Sequence, residues 1–237
     1  MRVYLLGLLM VMTIIAQGCV PQAVSTPLAT TGPEHTAIVT TIPSVVSKPT
    51  QSPTPGATLT ALQVQQLSIV NSILPNYKGP QDVCRWQQLT CDEQGRIIQL
   101  NLSAQGLSSL SPKIGNLISL KQLDLSYNPL TSLPPELGHL SDLEELNLED
   151  NRLSNLPPEI GQLSNLRLLR IVNNHLIVLP SEIGLLVNLQ WLALYNNQLT
   201  TVQIEIRHLL NLRGLNLSHN QLASVPPEIG QLSNQWC

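Results

Sequence analysis

The chain has 237 residues, 43% of them hydrophobic, with 12 Lys and Arg against 15 Asp and Glu and a formal net charge of −3. With no block of lysine or arginine, this mildly acidic balance argues against a surface built to track a nucleic-acid backbone, so nucleic acid is not an expected partner. Four cysteines and a strongly apolar start point instead to export.

Arg2 supplies a short positive n-region, and Val3 to Ala16 form an apolar run of about 14 residues. A membrane span needs about 20, so the run suits the core of a signal peptide. It ends in Ala16-Gln17-Gly18-Cys19, small residues just before a cysteine. This resembles the lipobox of bacterial lipoproteins, although that family prefers Leu where this chain has Ala16. The resemblance implies a signal peptide over residues 1–18 and lipid on Cys19. Membrane attachment would then be through that lipid alone, with the protein facing outward on the bacterial cell envelope. An ordinary secretory signal cleaved nearby is the competing reading. Residues 19–58 are dominated by Thr, Pro and Ser without apolar periodicity, a composition that predicts a disordered tether. Whether its threonines are glycosylated is not written in the sequence.

Residues 59–96 change character. Leu59, Leu62, Leu67, Val70, Ile73 and Leu74 recur at helical spacing, and Pro75 follows as a stop. After a polar loop come Cys84-Arg85-Trp86-Gln87-Gln88-Leu89-Thr90-Cys91 and then Asp92-Glu93-Gln94-Gly95-Arg96. Two cysteines this close suit a disulfide-closed cap. A zinc site would want the usual paired spacing or nearby histidines, and the segment has neither. Cys237 has no obvious partner.

From Ile97 to Asn234 the chain divides into six blocks of 23 residues, starting at Ile97, Leu120, Leu143, Leu166, Leu189 and Leu212. Each follows L-x-x-L-x-L-x-x-N-x-L-x-x-L-P-x-x-I-G-x-L-x-x. This period resembles the leucine-rich repeat proteins, and the helix, C-x-W-x-x-x-x-C and D-x-x-G-R ahead of it resemble the N-terminal cap of their plant-type extracellular members. The resemblance implies an α/β fold: a right-handed solenoid with a parallel concave sheet, preceded by a helical disulfide cap. Because the first repeat has no neighbour on one side, its leucines need a lid. Trp86 is expected over Leu100 and Leu102, with the Cys84–Cys91 bond pinning it.

Within a repeat, the leucines of L-x-x-L-x-L point inward and the intervening residues outward. Asn128, Asn151, Asn174, Asn197 and Asn220, with Gln105 in the first repeat, are expected to satisfy backbone groups of neighbouring turns. On the return leg, Glu136, Glu159, Glu182, Glu205 and Glu228 complement the local helix dipole on a solvated convex side. The fifth repeat carries Gln203 where proline is usual and Arg207 where the others have glycine, which predicts a less regular turn.

No phosphate-cradling glycine loop, nucleophile elbow or His-x-x-x-His pair is written in the chain, and the histidines are dispersed. Catalysis, a cofactor and a metal site are not expected. The candidate ligand-binding residues are concave: Glu145 and Glu149, then Arg167, Leu168, Arg170 and Val172, then Trp191 and Tyr195, then His219. They predict an acidic strip, two arginines and a partly apolar aromatic patch side by side, the residue types enriched at binding hot spots. The family resemblance implies a protein or peptide ligand; a cell-wall glycan, or a spacer without ligand, are the alternatives. At the far end, Leu215, Leu217, Leu222 and Ile229 need a cover. Trp236 folding back, a dimer bridged at Cys237, and a truncated member of a longer family all stay open.

Overall fold

The computed structural model describes residues 59–74, 78–79 and 81–235. The signal peptide, Cys19, the tether, Pro75, Trp236 and Cys237 lie outside the described residues.

Helix α1 spans Ala61–Ile73 and starts with a reciprocal cap. The Gln63 N–H donates to the Thr60 hydroxyl, and the Thr60 N–H donates to Gln63 Oε1. Its buried face is Gln66, Ile69, Val70 and Ile73, while Leu62 and Leu67 of the expected stripe stay half-buried. Gln66 accounts for the rotation. Its Nε2 donates to the Gly95 carbonyl at 2.8 Å and its Oε1 accepts from the Ile97 N–H at 2.9 Å, so one buried carboxamide, paired at both ends, ties the helix to the first repeat.

The cap continues with a 3-10 turn at Val83–Arg85 and the disulfide Cys84–Cys91. Val83 is fully buried, and Trp86 packs half-buried against the core. Strand β1 (Leu89–Cys91) runs antiparallel to β2 (Ile97–Asn101). Asp92 holds the connection: Oδ1 accepts from the N–H groups of Gln94 and Arg96, and Oδ2 from Arg96 Nε at 2.6 Å. Burial raises the Asp92 pKa, but the Arg96 hydrogen bonds and charge outweigh it and hold the carboxyl below its ordinary range.

From β2 onward the sheet is parallel and strictly sequential: β3 (Gln122–Asp124), β4 (Glu145–Asn147), β5 (Leu168–Arg170), β6 (Trp191–Ala193) and β7 (Gly214–Asn216). The leucines between the outward residues line up as Leu123, Leu146, Leu169 and Leu192, each at most 2% exposed. This is the expected repeat solenoid, with the core threaded through it.

The asparagines are the scaffold that the repeat frame predicts. Asn128 Oδ1 accepts from the N–H groups of Gln105 and Leu107 in the preceding repeat, while Nδ2 donates to the carbonyls of Leu102, Leu125 and Ser126. Asn151, Asn174 and Asn197 repeat the arrangement and are buried. Gln105 stays exposed, and its side chain reaches only the Ser103 carbonyl.

Each convex leg is a 3-10 turn, as at Pro135–His139 and Pro158–Gln162. Glycine follows from how tightly these turns stack: a Cβ on Gly138, Gly161 or Gly184 would stand 2.6 Å from the carbonyl oxygen of Glu159, Glu182 or Glu205. The convex glutamates are therefore not a freely solvated stripe. They are half-buried, and Glu136 Oε2 is enclosed without a partner among the described residues. The fifth turn also departs from expectation. Ile204–His208 has the same five residues as its neighbours, and Gln203 (φ −68°, ψ 145°) matches Pro157 (φ −67°, ψ 144°), because any residue can adopt that extended conformation.

After each of the strands β2 to β7 one residue turns left-handed: Ala104, Tyr127, Asp150, Asn173, Asn196 and His219, with φ between 53° and 57°.

Candidate functional site

Parallel pairing sets the outward residues of the concave sheet in rows. One row runs Gln99, Gln122, Glu145, Leu168, Trp191, Gly214, and the next Asn101, Asp124, Asn147, Arg170, Ala193, Asn216. The 23-residue spacing continues a third row just past the strands, where Glu149, Val172 and Tyr195 are neighbours. The pattern thus brings Glu145 beside Leu168, and Leu168 beside Trp191, as the alternation of side chains predicts.

Over β1 to β5 these rows floor a trough of about 320 Å³. Its lining is mostly polar: Gln99, Asn101, Gln122, Asp124, Glu145 and Asn147, closed toward the C-terminal side by Leu168 and Arg170. The strand frame places Glu145, Asn147, Leu168 and Arg170 of this set on the concave face, three of them as candidate ligand-binding residues. The signal for Gln99, Asn101, Gln122 and Asp124 was the same strand frame, applied to the first two repeats.

The second row has a structural duty. Asn101 Oδ1 accepts from the Ser103 N–H, Asp124 from Ser126, Asn147 from Glu149 and Asn216 from Ser218, at 2.9, 2.9, 3.1 and 3.1 Å. Each side chain caps the turn that leaves its own strand. Arg170 and Ala193 interrupt this series in adjacent repeats.

The two candidate arginines separate. Arg170 is exposed on β5 and forms no ion pair among the described residues. Arg167 precedes β5 and pairs with Glu144 at 3.6 Å, and Glu144 also meets Lys121 at 3.7 Å. This exposed chain of charges runs beside the trough, and its contribution to stability is small.

Trp191 is 53% exposed, and its ring rests over Gly214, whose missing side chain leaves the space. Tyr195 and His219 make an edge-to-face pair with centroids 4.8 Å apart. Toward the N-terminal side, sequence reasoning missed Tyr127, an exposed aromatic among acids. Glu149 first, then Asp150, burial and Asp124 push its hydroxyl pKa above the ordinary tyrosine value.

Among the described residues no group of His, Cys, Asp and Glu is placed to hold a metal ion, and no helix is long and apolar enough to cross a membrane. What the surface offers is a row of hydrogen-bonding side chains, an acidic flank, an unpaired guanidinium and an aromatic platform.

A family model for the leucine-rich repeat region matches residues 80–224, and the chain belongs to that family. Among solved structures, a leucine-rich repeat protein of Leptospira interrogans is 39% identical over 60% of this chain and 42% of its own, with a TM-score of 0.49. The ectodomain of the Arabidopsis thaliana membrane receptor kinase GASSHO1/SCHENGEN3, solved with CASPARIAN STRIP INTEGRITY FACTOR 2, is 34% identical over 73% of this chain and 23% of its own, with a TM-score of 0.63. The plant peptide hormone receptor RGFR1, solved with RGF2, is 29% identical over 65% and 28%, with a TM-score of 0.55. The chain therefore spans less than half the length of each of these three. No curated protein matches it.

Proposed function

We propose that this leucine-rich repeat chain is a non-catalytic recognition module of the bacterial cell surface whose concave face binds a protein or peptide. One observation carries the reading: Glu145, Arg170 and Trp191 stand outward in registered rows that the core does not need. Neighbouring structures of the fold hold named partners, among them a peptide hormone receptor with RGF2. In this reading residues 1–18 are the export signal, Cys19 carries the lipid, and residues 19–58 tether the solenoid above the membrane. At the sixth repeat Leu215, Leu217, Leu222 and Ile229 are only half-buried while Leu192, Leu194, Leu199 and Ile206 before them are fully buried, and a fold-back of Trp236, a second chain or further repeats of a longer chain would each cover them.

The test is capture by the immobilised full chain, with bound material identified by mass spectrometry. Glu145→Lys and Arg170→Glu should each abolish capture of a protein or peptide. A second reading, an extracellular glycan, is favoured by the exposed indole lying over Gly214, a surface suited to stacking. Capture that survives both charge reversals and fails with Trp191→Ala would select it. Absence of any captured material would leave a spacer. Palmitate labelling lost in Cys19→Ser tests the anchor, and a non-reducing gel of Cys237→Ser tests the bridged dimer.

A further inference from the structure

We infer that the concave face holds a carboxylate subsite, formed by the main-chain N–H groups of Val172 and Tyr195 together with the Arg170 guanidinium. It rests on the peptide-binding reading and gives that ligand a chemistry.

In four repeats the N–H two residues beyond the strand is capped by the side chain of the strand's last residue, from Asn101, Asp124, Asn147 and Asn216. Those side chains occupy one row on the concave face. The N–H groups they satisfy therefore point into that face.

The fourth and fifth repeats break the series side by side. Arg170 carries donors only and Ala193 carries no polar atom, so the N–H groups of Val172 and Tyr195 have no protein acceptor among the described residues. A main-chain donor left open in a half-buried surface is costly unless water or a ligand satisfies it. Here there are two, in registered neighbours about 4.8 Å apart. Ala193 brings only a methyl group to this place, and Arg170 of the paired strand has no competing ion pair among the described residues.

Two N–H groups and a guanidinium converge on one anion, and a carboxylate uses all three: its two oxygens accept from the main chain while its charge meets the arginine. A peptide carbonyl would satisfy an N–H and leave the guanidinium idle. The wider field agrees. Asp124, Glu145, Glu149 and Asp150 lie on the N-terminal side of the subsite, and Arg213 and His219 on the other. A bound segment therefore lays its carboxylate over repeats four and five and directs neutral or cationic residues toward Tyr127.

Two measurements on the full chain test this. In an amide NMR titration with acetate, the Val172 and Tyr195 protons should move downfield, while the self-capped Ser126 and Ser218 protons stay. Ala193→Asn restores an internal acceptor and should remove the Tyr195 response. Equal movement at all four positions, or none at any, overturns the subsite. The second probe is an array of nonapeptides carrying Asp or Asn at the centre, each with a free or amidated C-terminus. A preference of about tenfold for the carboxylate form, the worth of one charged hydrogen bond, should vanish in Ala193→Asn and Arg170→Asn. The centre and terminus arms tell a side-chain carboxylate from a terminal one. Capture without carboxylate preference overturns the subsite and leaves peptide binding standing. Acetate shifts without any peptide capture keep the subsite and overturn the peptide reading.

Discussion

The Trp191 indole lies against the bare Cα of Gly214 in the next repeat, so a methyl group built on that glycine would collide with the ring atoms Cε3 and Cζ3. One face of the ring is thus covered by a neighbouring strand, and more than half of the side chain remains open to solvent. Gly214→Val should swing the indole away at little cost, since the obstructed atoms belong to a surface side chain. Acrylamide quenching of tryptophan fluorescence should rise, and the rise should be absent in a Trp191→Phe background. Unchanged quenching would show that the ring does not rest there.

The same row separates surface from core. Leu169 is fully buried between two outward residues, and Leu169→Ala should cost about 2–5 kcal/mol through the cavity it leaves. Trp191→Ala with Tyr195→Ala should change the unfolding free energy from urea titration by no more than about 0.5 kcal/mol per site. If the aromatic pair proved as costly as the leucine, the outward rows would be misassigned.

Convex stacking makes a paired prediction. Gly161→Ala would bring a Cβ to 2.6 Å from the Glu182 carbonyl oxygen, whereas a Cβ on Gly230 meets nothing within 4 Å. The first substitution should cost about 1–3 kcal/mol as overpacking, and the second should be neutral or slightly stabilising. Thermal melts of the two single variants compare them directly.

Asn174 joins repeats through bonds to the carbonyls of Leu148 and Val172 and the N–H of Leu153. Asn174→Ala strands these groups in the interior, at about 1–3 kcal/mol for each that water cannot reach. Hydrogen exchange should accelerate at the Leu153 amide well before it does so at Leu107, which Asn128 serves.

Glu149 gives a test by titration. Its charge is the first cause of the raised Tyr127 pKa, so Glu149→Gln should bring that hydroxyl back toward the ordinary value. A raised folded-state pKa means the unfolded tyrosine releases its proton first, near pH 10. Stability from this group is therefore intact below that pH and declines as pH climbs through the folded value. Absorbance at 295 nm, differenced against Tyr127→Phe, follows the ionisation.

Much of this was legible in the sequence, and the gaps have physical causes. A fixed period with leucines in order fixes inward and outward positions, so the neighbours of Leu168 and the duty of Asn151 could be read directly. Gln66 could not: a glutamine on an amphipathic helix reads as solvated until its partners at Gly95 and Ile97 are known. Arg167 and Arg170 looked like a pair because both flank the same leucines, yet only Arg170 is on a strand. The turn caps at Asn101, Asp124, Asn147 and Asn216 were visible as Asx residues at one repeating place. Their meaning needed the hydrogen bonds, and the two exceptions are where the carboxylate subsite is proposed.

The left-handed residue at each strand exit has a bearing on how this face can change. Asn, Asp and His tolerate that conformation better than most residues, and four of the six places hold one of them: Asp150, Asn173, Asn196 and His219. Side-chain choice at this column is thus constrained by the main chain, whereas Glu145, Leu168 and Trp191 sit on ordinary extended backbone that accepts almost any side chain. Someone re-engineering the trough for a new target would randomise that freer column and leave the strand exits alone.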